Sequence, residues 1–411
     1  MNIKSVLTTC FVICAVHVSA QTPLYKQSSA PVESRVKDLL GRMTVDEKIG
    51  QLCCPLGWEM YTKTSKGVVP SELYKERMSA APIGSFWAVL RADPWTQKTL
   101  ETGLNPQSGA KALNALQKYA IDSTRLGIPI LFAEECPHGH MAIGTTVFPT
   151  SLAQASTWDK ELMYKMGETI ALEARLQGAN IGYGPVLDIA REPRWSRMEE
   201  TFGEDPVLTS TLGVAFMKGM QGEVQNDGKH LFSTLKHFAA YGIPESGHNG
   251  ARANIGMRQL FSDYLHPFKK AVEAGADIIL FETVPSLKEA KVEAEIAEEY
   301  GYDYWISFSC LSENIICEGT PIAECATTFA KGYPHLKMIG VNCTKPEYIT
   351  GLIHKIKENC DIPIGVYPNS GEEYDAVKKV WFGKQSALSF EQYAYNYMKS
   401  GASAVGGCCT T

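Results

Sequence analysis

The sequence has no cluster of basic residues: over 411 residues the formal net charge is −6, and Lys and Arg are scattered. Without a positive stripe there is no electrostatic footprint for nucleic acid, so no nucleic-acid partner is expected. A second long apolar run is also missing. The one such run lies in residues 1–20, MNIKSVLTTCFVICAVHVSA, where Lys4 precedes an apolar stretch and the segment ends small-x-small at Val18-Ser19-Ala20. It is too short to span a bilayer and reads as a secretory signal peptide cut before Gln21. A lipidated Cys14 is the weaker reading, because small residues do not precede it. The expectation is a secreted or periplasmic protein with no membrane association after cleavage. The dense cysteine spacing of a small stapled scaffold is absent as well. Of twelve cysteines, Cys10 and Cys14 leave with the leader, and Cys310, Cys317, Cys325, Cys343, Cys360, Cys408 and Cys409 crowd the far end. A chain this long needs no staples, so most of them should be buried and inert.

What is present is ordinary globular composition, 45% hydrophobic and 20% charged. From residue 84 a short apolar run, a loop and an amphipathic helix alternate. The runs cover 84–90, 128–134, 181–189, 231–238, 277–283, 303–309, 337–343, 362–369 and 403–409. Ser286 with Glu289 and Thr344 with Glu347 have capping-box spacing, and Gly178, Gly275, Gly301 and Gly401 stand where helices should stop. Continuous apolar strands alternating with helices predict a parallel sheet covered on both faces. The fold class is α/β, a (β/α)8 TIM-barrel-like architecture. Nine candidate strands are one more than eight, so one is extruded or the barrel closes imperfectly.

In such a barrel the chemistry sits at the C-terminal strand ends. Those ends carry Glu134 and Glu135, Asp188, Lys236 and His237, Glu282, Cys343, Asn369, and Cys408 with Cys409. Any one of them singly could be loop decoration; their shared position argues otherwise. Three motifs of the first half, GIPILFAEECPHGH (127–140), GPVLDIAREPRWSRMEETFGEDP (184–206) and LKHFAAYGIPESGHN (235–249), resemble the N-terminal barrel of glycoside hydrolase family 3. The resemblance runs over about residues 33–275. It implies that Glu135, Arg197, Lys236 and His237 bind a β-glycoside, with His248 where many members carry Arg. The same resemblance implies a nucleophilic aspartate in an SDW-like motif and an acid/base from a following domain. The chain has neither: its one Ser-Asp pair, Ser262-Asp263, lies in a helical stretch. No catalytic set for glycoside hydrolysis is intact, and Asp188 or Glu199 is a weak stand-in for the nucleophile.

The second half reads differently. AGADIILFETVPSLKEA (274–290), ISFSC with EGTPIAECA (306–326), IGVNC (339–343), VYPNSGE (366–372) and GGCC (406–409) resemble homocysteine S-methyltransferases over roughly 272–411. That resemblance implies a zinc ion held by Cys343, Cys408 and Cys409, and homocysteine bound by Glu282 and Asn369. Three thiolates suit tetrahedral zinc and leave a fourth position for a substrate thiol. A thiol bound there loses its proton and takes a methyl group from a sulfonium donor, giving methionine. The bland alternative is two core cysteines beside a Gly-Gly turn. The family's first strands are absent, and its final helix would lie beyond Thr411.

The expected domains are a signal peptide (1–20), a glycoside hydrolase family 3-like half-barrel (21–272) and a homocysteine S-methyltransferase-like half-barrel (273–411). Three functions follow in order: zinc-dependent S-methyl transfer, β-glycoside binding, or a chimeric or fragmentary chain without selected activity. The compartments conflict, since an oxidising space threatens the thiols that the second half needs.

Overall fold

The computed structural model describes residues 22–223, 227–275, 279–371, 373–375, 380–382 and 388–408. The leader and Cys409 lie outside them. The chain divides into two compact units after Thr44. In the first, a 3₁₀ turn (Leu24–Lys26) precedes the helix Val32–Arg42. The Asp38 carboxylate there accepts the Tyr25 N–H at 3.0 Å and pairs with Arg42 at 3.0 Å.

The second unit opens with the helix Val45–Leu52, followed by a hairpin, β1 (Tyr61–Thr64) and β2 (Gly67–Pro70). Next, β3 (Ser85–Trp87), β4 (Leu131–Glu135), β5 (Ile181–Val186) and β6 (Phe232–Lys236) form a four-stranded parallel ladder in chain order. They are followed by β7 (Ile279–Val284), β8 (Tyr304–Phe308), β9 (Leu336–Asn342) and β10 (Ile364–Tyr367). A hairpin of β11 (Glu373–Asp375) and β12 (Val380–Phe382) precedes β13 (Ala404–Val405). The second parallel ladder runs β7-β8-β9-β10-β13. Every one of the nine expected strands forms, and the two hairpins are additions that the apolar runs did not mark.

The helices cover both ladders as the continuous apolar strands require. Lys160–Gln177 starts at Asp159, whose carboxylate accepts the N–H of Glu161 and Leu162, and stops at Gly178 with φ 111°. Met163, Met166, Ile170 and Ala174 recur at helical spacing and pack with Phe216 in one buried cluster. The five-stranded ladder has its own core, in which Ile339, Val341, Ile364 and Val366 meet Leu352, Ile356 and Tyr397. No helix of the described residues is long and apolar enough to cross a membrane.

Both capping boxes need correction. The Ser286 hydroxyl accepts the Glu289 N–H at 3.4 Å, but the Glu289 carboxyl is turned inward. Burial, and then the Glu318 charge, push that carboxyl up to about 7. Thr344 caps nothing: its hydroxyl accepts the Cys310 N–H at 3.0 Å and donates to Asn342 O at 2.8 Å, and Lys345 occupies the N-cap. A threonine buried between two strand ends satisfies their backbone groups before it can serve a helix.

The hydrogen-bonded ladder is interrupted twice among the described residues. Between β6 and β7 lies a cavity of about 400 Å³ lined by Leu235, Phe238, Phe268, Ile279, Leu280 and Glu282. Phe238 spans that junction, with its ring 4.8 Å from both Phe268 and Phe281. At the other end, β3 is flanked by the extended segment 53–57: Ser85 N–H donates to Cys53 O at 3.3 Å, Trp87 N–H to Pro55 O at 3.0 Å, and Gly57 N–H to Trp87 O at 2.7 Å. Pro55 and the brevity of this segment hid it from pattern reading.

In the second ladder Gly340 of β9 and Gly365 of β10 are register partners. A Cβ on Gly340 would sit 1.7 Å from Gly365 O. Gly340→Ala is expected to lower stability by about 2–3 kcal/mol by forcing the two strands apart. The urea midpoint of purified variant against parent checks this, and an unchanged midpoint refutes it.

Candidate functional site

Strand β4 ends in two consecutive carboxylates that face different surroundings. Glu134 is fully buried; one oxygen accepts the Leu90 N–H at 3.0 Å and the other lies 3.7 Å from His140 Nε2. Glu135 instead pairs with Lys236 Nζ of β6 at 2.8 Å, both side chains being nearly buried. A buried carboxylate and ammonium persist only when paired, and here each fixes the other across two strands.

The next residue of the Lys-His pair is fixed by β5. Asp188 is buried, accepts the His237 N–H at 3.2 Å, and has an oxygen 2.8 Å from His237 Nδ1. Arg197 makes a two-pronged contact with Glu200, at 2.6 and 2.7 Å, and its guanidinium lies 5.7 Å from the Tyr241 ring centre. The Tyr241 ring is also 5.0 Å from His237 and 5.1 Å from Trp195. Tyr183 of β5 lies under the Lys236 ammonium at 5.6 Å and stacks on Trp87 at 6.1 Å. Glu135 and Lys236 therefore meet directly, while His237 and Arg197 join through Tyr241. His248 is exposed; its neighbour Asn249 accepts the Trp195 indole N–H at 2.9 Å.

The two stand-in nucleophiles sit in different surroundings. Asp188 is committed to His237, and Glu199 is exposed. Asp263 sits in a π-helical turn, Leu260–Tyr264, and pairs with Arg191.

The second set of strand ends gathers the sulfur groups. Cys343 Sγ lies 2.8 Å from Cys408 Sγ. Cys343 has a left-handed backbone (φ 47°), and Thr283, just after Glu282, has φ 63°. Left-handed backbone at a β-branched residue is strained and persists because Asn342 clamps it. The Asn342 side chain accepts the Thr283 N–H at 2.9 Å and donates to the Thr283 hydroxyl at 2.7 Å. Cys408 N–H donates to Pro368 O at 2.8 Å, and Asn369 N–H donates to Thr344 O at 3.1 Å. The Tyr367 hydroxyl, Ser307 Oγ and Asn369 Oδ1 are buried with no hydrogen-bond partner among the described residues. Cys409, the third expected zinc ligand, lies outside the described residues. Among those described, no three His, Cys, Asp or Glu side chains are grouped to hold a metal. Most of the remaining cysteines, Cys53, Cys136, Cys310, Cys325 and Cys360, are buried, and burial raises the Cys325 thiol to about 12, whereas Cys317 is half-buried and Cys54 is exposed.

Glu282 touches both sets electrostatically. After burial, the Glu282 charge is among the groups that hold the Tyr183 phenol up. Burial and then Glu282, ahead of Cys408 and Cys343, do the same to Tyr367. Sequence reading missed Tyr183, Tyr241, Glu200 and Tyr367, which hold or separate the marked residues. Only Glu200, three residues after Arg197, had a readable signal in its spacing.

Residues 44–296 match the family described as glycosyl hydrolase family 3 N-terminal domain, and residues 208–411 match homocysteine S-methyltransferase. A periplasmic β-glucosidase of Salmonella typhimurium is 34% identical over 247 residues, covering 60% of this chain and 28% of that one. A homocysteine S-methyltransferase of Bacillus subtilis is 38% identical over 182 residues, covering 44% of this chain and 57% of that one. A crystal structure of a Listeria innocua β-glucosidase is similar with a TM-score of 0.54 at 25% identity, covering 81% of this chain and 41% of that one. The chain thus spans under a third of the Salmonella glucosidase and just over half of the Bacillus methyltransferase.

The Arg197–Glu200 pair sets an acid dependence. Burial alone would raise the Glu200 carboxyl above its ordinary 4.5, but the Arg197 guanidinium outweighs it and holds the carboxyl below that value. A depressed carboxyl contributes stability above pH 4.5 that is lost as pH falls through its folded value. Arg197→Ala should therefore cost about 1–2 kcal/mol at neutral pH, with the difference from the parent shrinking below about pH 4. Urea titrations across that range test it; a pH-independent difference would contradict the assignment.

Proposed function

The chain belongs, through residues 44–296, to the glycosyl hydrolase family 3 N-terminal domain family, and on that footing we propose that its principal site binds a β-glycoside. The carrying observation is the 2.8 Å Glu135–Lys236 pair, set beside His237 and Arg197 at adjacent strand ends. A carboxylate next to an ammonium offers acceptor and donor to vicinal hydroxyls, and the charges strengthen each bond. Asp188 sets the orientation of the His237 ring, and Glu200 that of the Arg197 fork.

Hydrolysis is not part of this reading. A retaining glycosidase needs two carboxyl groups about 5–5.5 Å apart, one free to attack the anomeric carbon. Here Glu135 is paired, Asp188 is held by His237, and the one Ser-Asp aspartate is tied to Arg191. The molecule is read as two half-barrels, 21–272 and 273–411, secreted or periplasmic by its leader.

Lys236→Ala should weaken glucose binding more than roughly tenfold, because it removes one charged donor and leaves Glu135 buried and unpaired. Isothermal titration of parent and variant decides the matter, and equal affinities would end the reading.

A second reading is favoured by the thiol pair. Cys343 and Cys408, with Cys409, would hold zinc at a site of homocysteine S-methyltransferase type, and Glu282 and Asn369 would bind homocysteine. When bound, zinc would activate the substrate thiol toward a sulfonium methyl donor. The two sulfurs, 2.8 Å apart, would have to separate to hold one ion between them. Protein prepared in reductant should carry about one zinc per chain by elemental analysis, lost in Cys408→Ser. Metal-free parent protein would eliminate this reading.

A further inference from the structure

We propose that Cys343 and Cys408 form a reversible disulfide that ties the end of β9 to the end of β13 and stabilises the second ladder. The proposal rests on how the chain holds these two sulfurs and does not depend on the zinc reading.

The sulfurs lie 2.8 Å apart, and a disulfide bond of about 2.05 Å is less than an ångström shorter. The backbones that carry them are fixed by the chain that follows β10. Pro368 O accepts the Cys408 N–H at 2.8 Å, and the next residue, Asn369, donates its N–H to Thr344 O at 3.1 Å. Two consecutive residues thus hold Cys408 on one side and the neighbour of Cys343 on the other. Thr344 is itself anchored, since its hydroxyl accepts the Cys310 N–H at 3.0 Å and donates to Asn342 O at 2.8 Å. Cys343 sits between the buried Asn342 and Thr344, in left-handed backbone. Both cysteines are half-buried and within reach of a small oxidant, whereas Cys53, Cys136, Cys310, Cys325 and Cys360 are buried. Thiols held at contact distance meet each other at a high effective concentration.

The link would matter most for β13, the outermost strand of its ladder. That strand has two residues, Ala404 and Val405, in register with Gly365 and Val366 of β10. So short a strand opens readily unless something ties it down. Cys343 and Cys408 stand 65 positions apart, and a link across a long segment removes much freedom from the unfolded chain.

The oxidant is a small-molecule disulfide of the glutathione class. One cysteine thiolate attacks a sulfur of it, forming a mixed disulfide and releasing one glutathione thiolate. The second cysteine, as thiolate, then attacks the protein sulfur of the mixed disulfide, and the other glutathione thiolate leaves. The cysteine pair loses two electrons, glutathione disulfide gains them, and the two cysteine protons pass to the departing thiolates.

The test treats chelator-washed parent protein with glutathione disulfide, alkylates the remaining thiols and digests without reduction. Mass spectrometry is expected to find Cys343 linked to Cys408 with loss of two hydrogens, and the thermal midpoint should rise by about 3–8 °C. Dithiothreitol should restore the original midpoint and both alkylatable thiols. Cys343→Ser and Cys408→Ser should each lose the link and the shift, while Cys54→Ser keeps both. Comparing oxidised with reduced parent needs no variant, so a variant that fails to fold leaves the test intact. Both cysteines still alkylated after the oxidant, a link from Cys343 to any cysteine other than Cys408, or a link that leaves the midpoint unmoved overturns the proposal. Metal-free reduced parent would end the zinc reading and leave this one standing.

Discussion

Parallel strands impose one constraint from which most of this molecule follows: every strand must end on the same side as its neighbours. With helices covering both faces, backbone groups inside each ladder are paired and only the strand ends are left to present side chains. Glu135, Tyr183 and Lys236 arrive on adjacent ends by this geometry, and so do Cys343 and Cys408 through β9, β10 and β13. Neither set needs a dedicated device to bring its members together. What needs devices is orientation, and the clamps of Asp188 on His237 and Asn342 on Thr283 supply it.

The two sets differ in which of their buried polar groups are paired. In the first, Glu135 pairs with Lys236 and Arg197 with Glu200, while Glu134 Oε2, His140 Nε2 and Asp188 Oδ1 are buried without hydrogen-bond partners among the described residues. In the second, a tyrosine hydroxyl, a serine hydroxyl and an amide oxygen are buried without partners among the described residues. Unsatisfied buried polar atoms are costly, about 1–3 kcal/mol each, and a fold retains them where something else completes them. Glu282 lies between the two sets: its charge acts on Tyr183 and on Tyr367 alike.

Much of this was legible from residue order alone. Strands with continuous apolar runs appeared where expected, because a strand buried on both faces has no other pattern. Gly178, Gly301 and Gly401 ended helices in the left-handed conformation that favours glycine. Of the marked residues, Glu135 meets Lys236, Asp188 meets His237 and Cys343 meets Cys408. What could not be read was anything set by a contact distant in sequence. Thr344 looked like a cap and became a strut between strand ends, and Glu289 looked like half of a box and turned inward. The 53–57 segment pairs with β3 only by tertiary placement.

The break between β6 and β7 can be tolerated because each ladder carries its own core. The second is filled by the cluster around Ile339, Val366 and Tyr397, the first by clusters around Phe86 and Phe132 and around Ile170 and Phe216. Neither depends on a hydrogen bond across the junction, where Phe238 is the bridging ring and a cavity occupies the space beside it. Leu280 and Phe232, on the two strands that flank the gap, keep 36% and 48% of their surface exposed. Local opening follows where buried apolar contact is sparse, so this junction is where the molecule should open first. The gap also ends at Lys236 and Glu282, one residue from each set of strand ends. Opening there would loosen the Glu135–Lys236 pair and the surroundings of Glu282 together, so the strand ends of each ladder depend on how well the other ladder packs against them.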